Sequence, residues 1–311
     1  MTHQEITKLL QTEMVPALGC TGPTAYALAA ACCRPYLTAA SEQIRIYVSP
    51  AFLKIGFGVA TPGTSRPGIP IAVALGLIGG DHKLGLQVLE PATAEDMRAA
   101  DKLVDSGIIQ VLCDWEKKGV YVRAEVETKN ETVLAVVEHT HDGISLIQVN
   151  GKTIYEKTIA TGEGESNQER FMTIDEIFSY VENAPLKDIR FLLDGWKMNM
   201  ALAQAALEQP FGLASGRAYL KEYWKARGVP EDLFDRPMDY LPDNAVERSK
   251  ILVAAASDGR MGGCRLPAMA AMGDGNQGLT GTIPIGVAAQ FLGADEETTC
   301  RALAMSCLML F

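Results

Sequence analysis

Residues 108–150 read IIQVLCDWEKKGVYVRAEVETKNETVLAVVEHTHDGISLIQVN. Four runs rich in Val, Ile and Leu, at 108–115, 119–128, 131–140 and 143–150, are separated by the turn signals KKG, TKN and HDG. That spacing predicts an antiparallel meander. Upstream, IRIYVSP (44–50) reads as a further strand, and ATAEDMRAADKLVDSG (92–107) as a helix with an acidic first turn and a Gly stop. Strand, helices and meander together make residues ~42–155 an α+β subdomain by the logic of packed layers.

Outside that stretch the strand signal fades. A helix is expected from Pro23 onward, propagated by alanines and limited by Pro35. TGEGESNQER (161–170) reads as an exposed linker, and 173–184, 194–209, 216–228 and 244–257 read as successive helices. The last segment carries apolar residues at 300, 303, 304, 307, 308 and 311, one face of a helix, and stops without a polar cap. Such a face wants a partner, so the sequence is expected to be truncated, with the missing part packing there.

Bulk properties exclude several classes. The 28 Lys and Arg against 38 Asp and Glu leave a formal charge of −10, which argues against nucleic acid or an anionic membrane as partner. The apolar runs 69–78 and 25–33 fall short of the ~20 residues that span a bilayer. No signal peptide is visible, and seven cysteines, two of them adjacent, suit reduced thiols better than a disulfide scaffold. The expected location is the cytoplasm.

Four segments carry candidate chemistry. In PALGCTGP, Cys20 lies just before Thr21, read as the N-cap of the helix from Pro23, where the helix dipole favours thiolate. An inert buried thiol is the competing reading. GDGNQGLTG (273–281) fits G-x-G-x-x-G, but the preceding RLPAMAAM does not read as a strand. A backbone nest for a small anion, or a plain turn between helices, is expected instead. In ASDGRMGG (256–263), Arg260 beside Asp258 has the fork geometry for a carboxylate, with a surface ion pair as the alternative. Thr64 and Ser65 in PGTSRPG have donors for the same group, unless the segment is only a stiff loop. No C-x-x-C occurs, and Cys300 and Cys307 share a helix face that reads as core.

Taken in order, PALGCTGP, SPAFLKIGFGVATPGT, RPGIPIAVALGLIGG, ASDGRMGG and GDGNQGLTGTIPI resemble the L-cysteine desulfidase family, related to the alpha domain of iron–sulfur L-serine dehydratases. The resemblance runs across essentially the whole chain. It implies an α+β fold: a helical catalytic domain, formed by 1–41 and 161–311, with an inserted α+β lobe (42–160) containing the antiparallel sheet. It also implies β-elimination from L-cysteine to pyruvate, ammonia and sulfide. L-serine is the alternative substrate, a 4Fe-4S cluster the cofactor, and pyridoxal phosphate is not used. Cys20 would be a cluster ligand or base, and Thr21, Lys54, Thr64, Asp258, Arg260, Gly275, Asn276 and Gln277 would bind substrate.

Two departures stand out. Gly22 replaces the family's Glu, and Ile55 its Asn. The family's other cluster cysteines lie in a segment that would follow Phe311. A homo-oligomer or a second chain is then expected to complete the site. A non-catalytic amino-acid-binding homologue is the remaining alternative.

Overall fold

The computed structural model describes residues 1–64, 66–157, 172–230 and 236–311. The expected linker at 161–170 and Ser65 lie outside the described residues. The chain divides into two compact units, Met1–Ala17 with Asn167–Phe311, and Leu18–Ser166. The architecture is α+β, as expected from the strand and helix texture.

The chain opens with α1 (His3–Glu13), started by a capping box between Thr2 and Glu5, and β1 (Met14–Leu18). The second unit then contains α2 (Thr21–Cys33), β2 (Ser41–Val48), α3 (Pro50–Gly56), α4 (Ile69–Gly79) and α5 (Ala94–Asp105). Five strands follow: β3 (Ile109–Cys113), β4 (Tyr121–Thr128), β5 (Thr132–Glu138), β6 (Ile144–Val149) and β7 (Lys152–Glu156).

The sheet order is β3-β2-β4-β5-β6-β7. The meander is therefore β2, β4, β5, β6 and β7, each pair antiparallel. The run at 108–115 does not open it. That run supplies β3, which pairs parallel to β2 at the opposite edge, with Ile44 opposite Ile109 and Val48 opposite Cys113. A parallel partner needs a long crossover, and α3, α4 and α5 provide it.

The core of this unit forms around α2, all thirteen residues of which are buried. A helix with no polar face must be covered on every side. It packs on α4 along one side and on β4 and β5 along the other. Small residues set the distance: a Cβ added at Gly76 of α4 would lie 2.2 Å from the Ala27 carbonyl oxygen of α2. This packing moves the expected boundary. Residues 18–41 belong with the sheet, because α2 is buried there, rather than with the helical part expected at 1–41.

The first unit continues with α6 (Ile174–Asn183), α7 (Leu186–Ile189), α8 (Phe191–Glu208), α9 (Ser215–Lys225) and α10 (Ala245–Met261). It closes with β8 (Pro267–Ala271), α11 (Gly275–Leu292) and α12 (Glu296–Leu308). β8 pairs with β1 in a two-stranded sheet, so RLPAMAAM does contain a strand, an Ala/Met-rich one made by pairing rather than by β-branched residues. The two-stranded setting still offers no βαβ crossover of the dinucleotide-binding kind.

The apolar face of α12 finds its partners within this chain. Cys300, Leu303, Ala304, Cys307 and Leu308 are buried against Ile6, Leu10, Tyr180 and Leu192, with Phe311 partly buried on the same cluster. None of the described helices is long and apolar enough to cross a membrane.

The contact at Gly76 is backbone against backbone, so a side chain there cannot be relieved by a rotamer change. Gly76→Ala is expected to destabilise the fold by about 1–3 kcal/mol, the ordinary range for overpacking. An unchanged midpoint in urea unfolding would refute that contact.

Candidate functional site

The sequence-predicted residues fall into two groups, one in each unit. In the second unit, Cys20 itself is the N-cap of α2, and Thr21, Gly22 and Pro23 form its first turn. The expected cap at Thr21 is thus shifted by one residue: Thr21 is already helical and buried. Thr24 fixes this start, its hydroxyl donating to the carbonyls of Cys20 at 3.0 Å and Leu18 at 3.2 Å. Gly19, with φ +71°, makes the preceding bend, and Pro62 packs so closely on it that a Cβ would lie 2.4 Å from the proline ring. The Cys20 thiol is buried and makes no capping bond of its own.

Two further side chains shape this turn. Ile55, from the end of α3, lies over Gly22, where a Cβ would sit 2.8 Å from its Cγ2. The two positions that depart from the resembled pattern are therefore in contact, the larger residue at 55 using the space left at 22. Tyr26, one turn into α2, donates its hydroxyl to the Phe52 carbonyl at 2.5 Å. Burial, and then the nearby Cys20 charge, push its pKa above the ordinary range, so it stays protonated.

Lys54 is exposed at the end of α3. The Thr64 hydroxyl donates to the carbonyls of Thr61 and Arg66, both at 3.1 Å, and staples its own loop.

In the first unit, Asp258 and Arg260 lie in the last turns of α10 rather than in a loop. They part company there. The Asp258 carboxylate accepts from the Ser215 hydroxyl at 2.7 and 2.9 Å and from the Gly216 N–H at 2.9 Å, capping the start of α9. In this structure it serves as a helix cap. Arg260 points toward the start of α11 and is 2% exposed. A Cβ on Gly275 would lie 2.1 Å from its Nε, so only glycine admits the guanidinium at that position.

Gly275, Asn276 and Gln277 are the first residues of α11. The expected anion nest is partly filled from within, because Asp274 Oδ1 accepts from the N–H groups of Asn276 at 2.7 Å and Gln277 at 3.2 Å. Asn276 also receives a 3.3 Å hydrogen bond from Ser257 Oγ of α10.

A residue absent from the sequence reading holds α11 in place. Asn199, fully buried in α8, donates to Thr282 Oγ1 at 2.8 Å, Gly278 O at 3.3 Å and Met269 O at 3.4 Å. Its own Oδ1 accepts from Met269 N at 2.8 Å. The carboxamide thereby ties α8, β8 and α11 together. Its signal in the sequence is one amide among apolar residues in KMNMALA. At Gly278 a Cβ would lie 1.8 Å from the Met269 carbonyl, so this glycine of NQG serves close packing.

All seven cysteines are free. Burial pushes the pKa of Cys32 and Cys307 up to about 12, and that of Cys33 further in the same direction. These thiols are neutral packing groups. Among the described residues, no three His, Cys, Asp or Glu side chains gather as a metal site.

Comparison with known proteins gives consistent matches. Residues 83–311 match the serine dehydratase alpha chain family. A UPF0597 protein of Dichelobacter nodosus is 38% identical over 306 residues, covering 98% of this chain and 68% of that protein. The UPF0597 protein YhaM of Escherichia coli O1:K1 is 37% identical over 305 residues, covering 96% and 66%. A UPF0597 protein of Actinobacillus pleuropneumoniae serotype 5b is 36% identical over 308 residues, covering 99% and 68%. No solved structure matches the chain.

The buried thiols generate a test. A thiol whose pKa rises on folding keeps its proton in the folded state, while the unfolded chain starts losing it near the ordinary value of about 8.5. The stability these groups contribute is complete below that value and falls as pH rises toward 12. Thermal midpoints are expected to fall from about pH 8.5 upward. Iodoacetamide at pH 8 is expected to leave Cys32, Cys33 and Cys307 unmodified in the native protein, as read by peptide mass mapping.

Proposed function

This chain belongs to the serine dehydratase alpha-chain family, and from that premise we propose that it eliminates the β-substituent of a small L-amino acid, L-cysteine ahead of L-serine. Cys20, the N-cap residue of α2, takes the α-proton as the base. The Cβ–S bond breaks with its electron pair leaving on sulfur as sulfide. The enamine takes a proton to become the imine, and water hydrolyses the imine to pyruvate and ammonia.

The observation that carries the preference for L-cysteine is the Gly22–Ile55 contact beside Cys20. An aliphatic group fills the space over the thiol's helix turn, and the neighbouring Tyr26 hydroxyl holds its proton tightly. Sulfide departs without prior protonation, whereas hydroxide needs an acid or a Lewis acid to leave. Such surroundings suit the better leaving group.

Serine dehydratase alpha-chain proteins are generally iron–sulfur dependent, and a 4Fe-4S cluster serves there as Lewis acid. The described residues do not by themselves fit one. A cluster of that kind is held by several thiolates, while Cys32, Cys33 and Cys307 are buried and neutral and no metal-binding group of three is present among the described residues. Cys20 is the one ligand proposed from this chain, with a second copy or another polypeptide supplying the rest. A reduced, cytoplasmic setting suits seven free thiols.

The test is an anaerobic assay after incubation with iron and sulfide, with pyruvate read from L-cysteine and from L-serine. L-cysteine is expected to be the faster substrate, and Cys20→Ala to lower kcat by about 10²-fold or more. Faster turnover of L-serine would refute the substrate assignment, and full activity in the alanine variant would refute the role of Cys20. The Gly22–Ile55 contact also favours one second reading, a binding protein without chemistry, which would show as amino-acid binding with no pyruvate formed.

A further inference from the structure

We infer that Arg260 and the first turn of α11 form a binding site for a small carboxylate. That the carboxylate belongs to the amino-acid substrate rests on the lyase reading above; the existence of the site does not.

Arg260 is 2% exposed, and among the described residues no carboxylate lies within ion-pair distance of it. Among those residues its Nε, sealed from solvent, has no acceptor, and its Nη1 reaches the Met261 thioether at 3.6 Å. A buried guanidinium left in this state is strongly disfavoured, because dehydration is paid without any compensating anion. Proteins that bury arginine pair it, and the pairing partner with matching geometry is a carboxylate taken in bidentate fashion.

The surroundings supply the rest of such a site. Arg260 ends α10 and its guanidinium packs on Gly275, the first residue of the eighteen-residue α11. The positive end of that helix adds to the attraction for an anion. Asn276 is half-buried beside it, and its carbonyl oxygen is held by Ser257, which orients the amide NH₂ away from that bond and leaves it as a donor. Asp274 occupies the N–H groups of Asn276 and Gln277, so the ligand is held by side chains rather than by a backbone nest. The Asp274 carboxylate at the same helix start opposes a phosphate dianion more strongly than a singly charged carboxylate.

L-Alanine is the probe, because it has no β-leaving group and cannot be turned over. Isothermal titration and thermal unfolding of the full chain at constant ionic strength are expected to show binding of L-alanine and of pyruvate, and none of L-alaninamide. Arg260→Lys, which keeps the charge and loses the fork, is expected to weaken L-alanine binding at least tenfold, and Arg260→Met to abolish it. Equal binding by wild type and Arg260→Lys, equal binding of the amide, or an equal thermal shift with sulfate would each overturn the site. Should Arg260→Met not fold, the lysine variant answers the same question. L-Alanine binding that depends on Arg260, with no pyruvate formed from L-cysteine, would uphold the site and refute the lyase. Pyruvate formation indifferent to Arg260→Lys, with L-alanine binding also unchanged, would do the reverse.

Discussion

A helix buried on every side dictates what may surround it, and in the sheet-bearing unit that helix is α2. Its alanines, glycine and cysteines leave no polar face to turn outward, so cover has to come from α4 on one side and the sheet on the other. Close cover demands small residues in the partner, hence Gly76 against the Ala27 backbone. The same demand explains why Cys32 and Cys33 are conspicuous in the sequence yet chemically quiet: burial raises their pKa and keeps them neutral. Cys20 stands at the N-cap of this same helix.

The other unit solves its main packing problem with one polar side chain. Asn199 satisfies the Met269 N–H and bonds to both β8 and α11 from the middle of α8. Buried amides of this kind are tolerated only when nearly all their hydrogen-bonding capacity is used, and here it is. The consequence is a fixed position for the start of α11, which in turn leaves the guanidinium of Arg260 against Gly275. The stability of the unit and the readiness of its anion site thus share a cause.

Much of this fold is legible in the sequence, and what is not has physical reasons. The strands at 119–128, 131–140 and 143–150 are visible through alternation and turn residues, but pairing partners are not encoded locally, so the run at 108–115 reads as a member of the antiparallel meander while β3 pairs parallel to β2. β8 escaped because alanine and methionine are poor indicators of a strand made by its neighbour β1. Asp258 stands out in the sequence beside Arg260, whereas its work as a helix cap, like that of Asp274, depends on which N–H groups lie opposite. The α12 face was correctly read as needing a partner; that α1, α6 and α8 supply it is a tertiary fact. Arg260 could be read as a carboxylate fork from residue type alone, though the absence of any internal acid beside it could not.

The contact between Gly22 and Ile55 bears on how such a chain can change over generations. Any side chain acquired at position 22 while Ile55 remains meets its methyl group, whereas Ile55, 40% exposed, can be trimmed without opening a buried cavity. The cost of a change at position 22 therefore depends on what stands at 55, a one-sided epistasis created by sterics. A lineage carrying glycine and isoleucine here reaches an acidic residue at position 22 most easily after position 55 has become smaller.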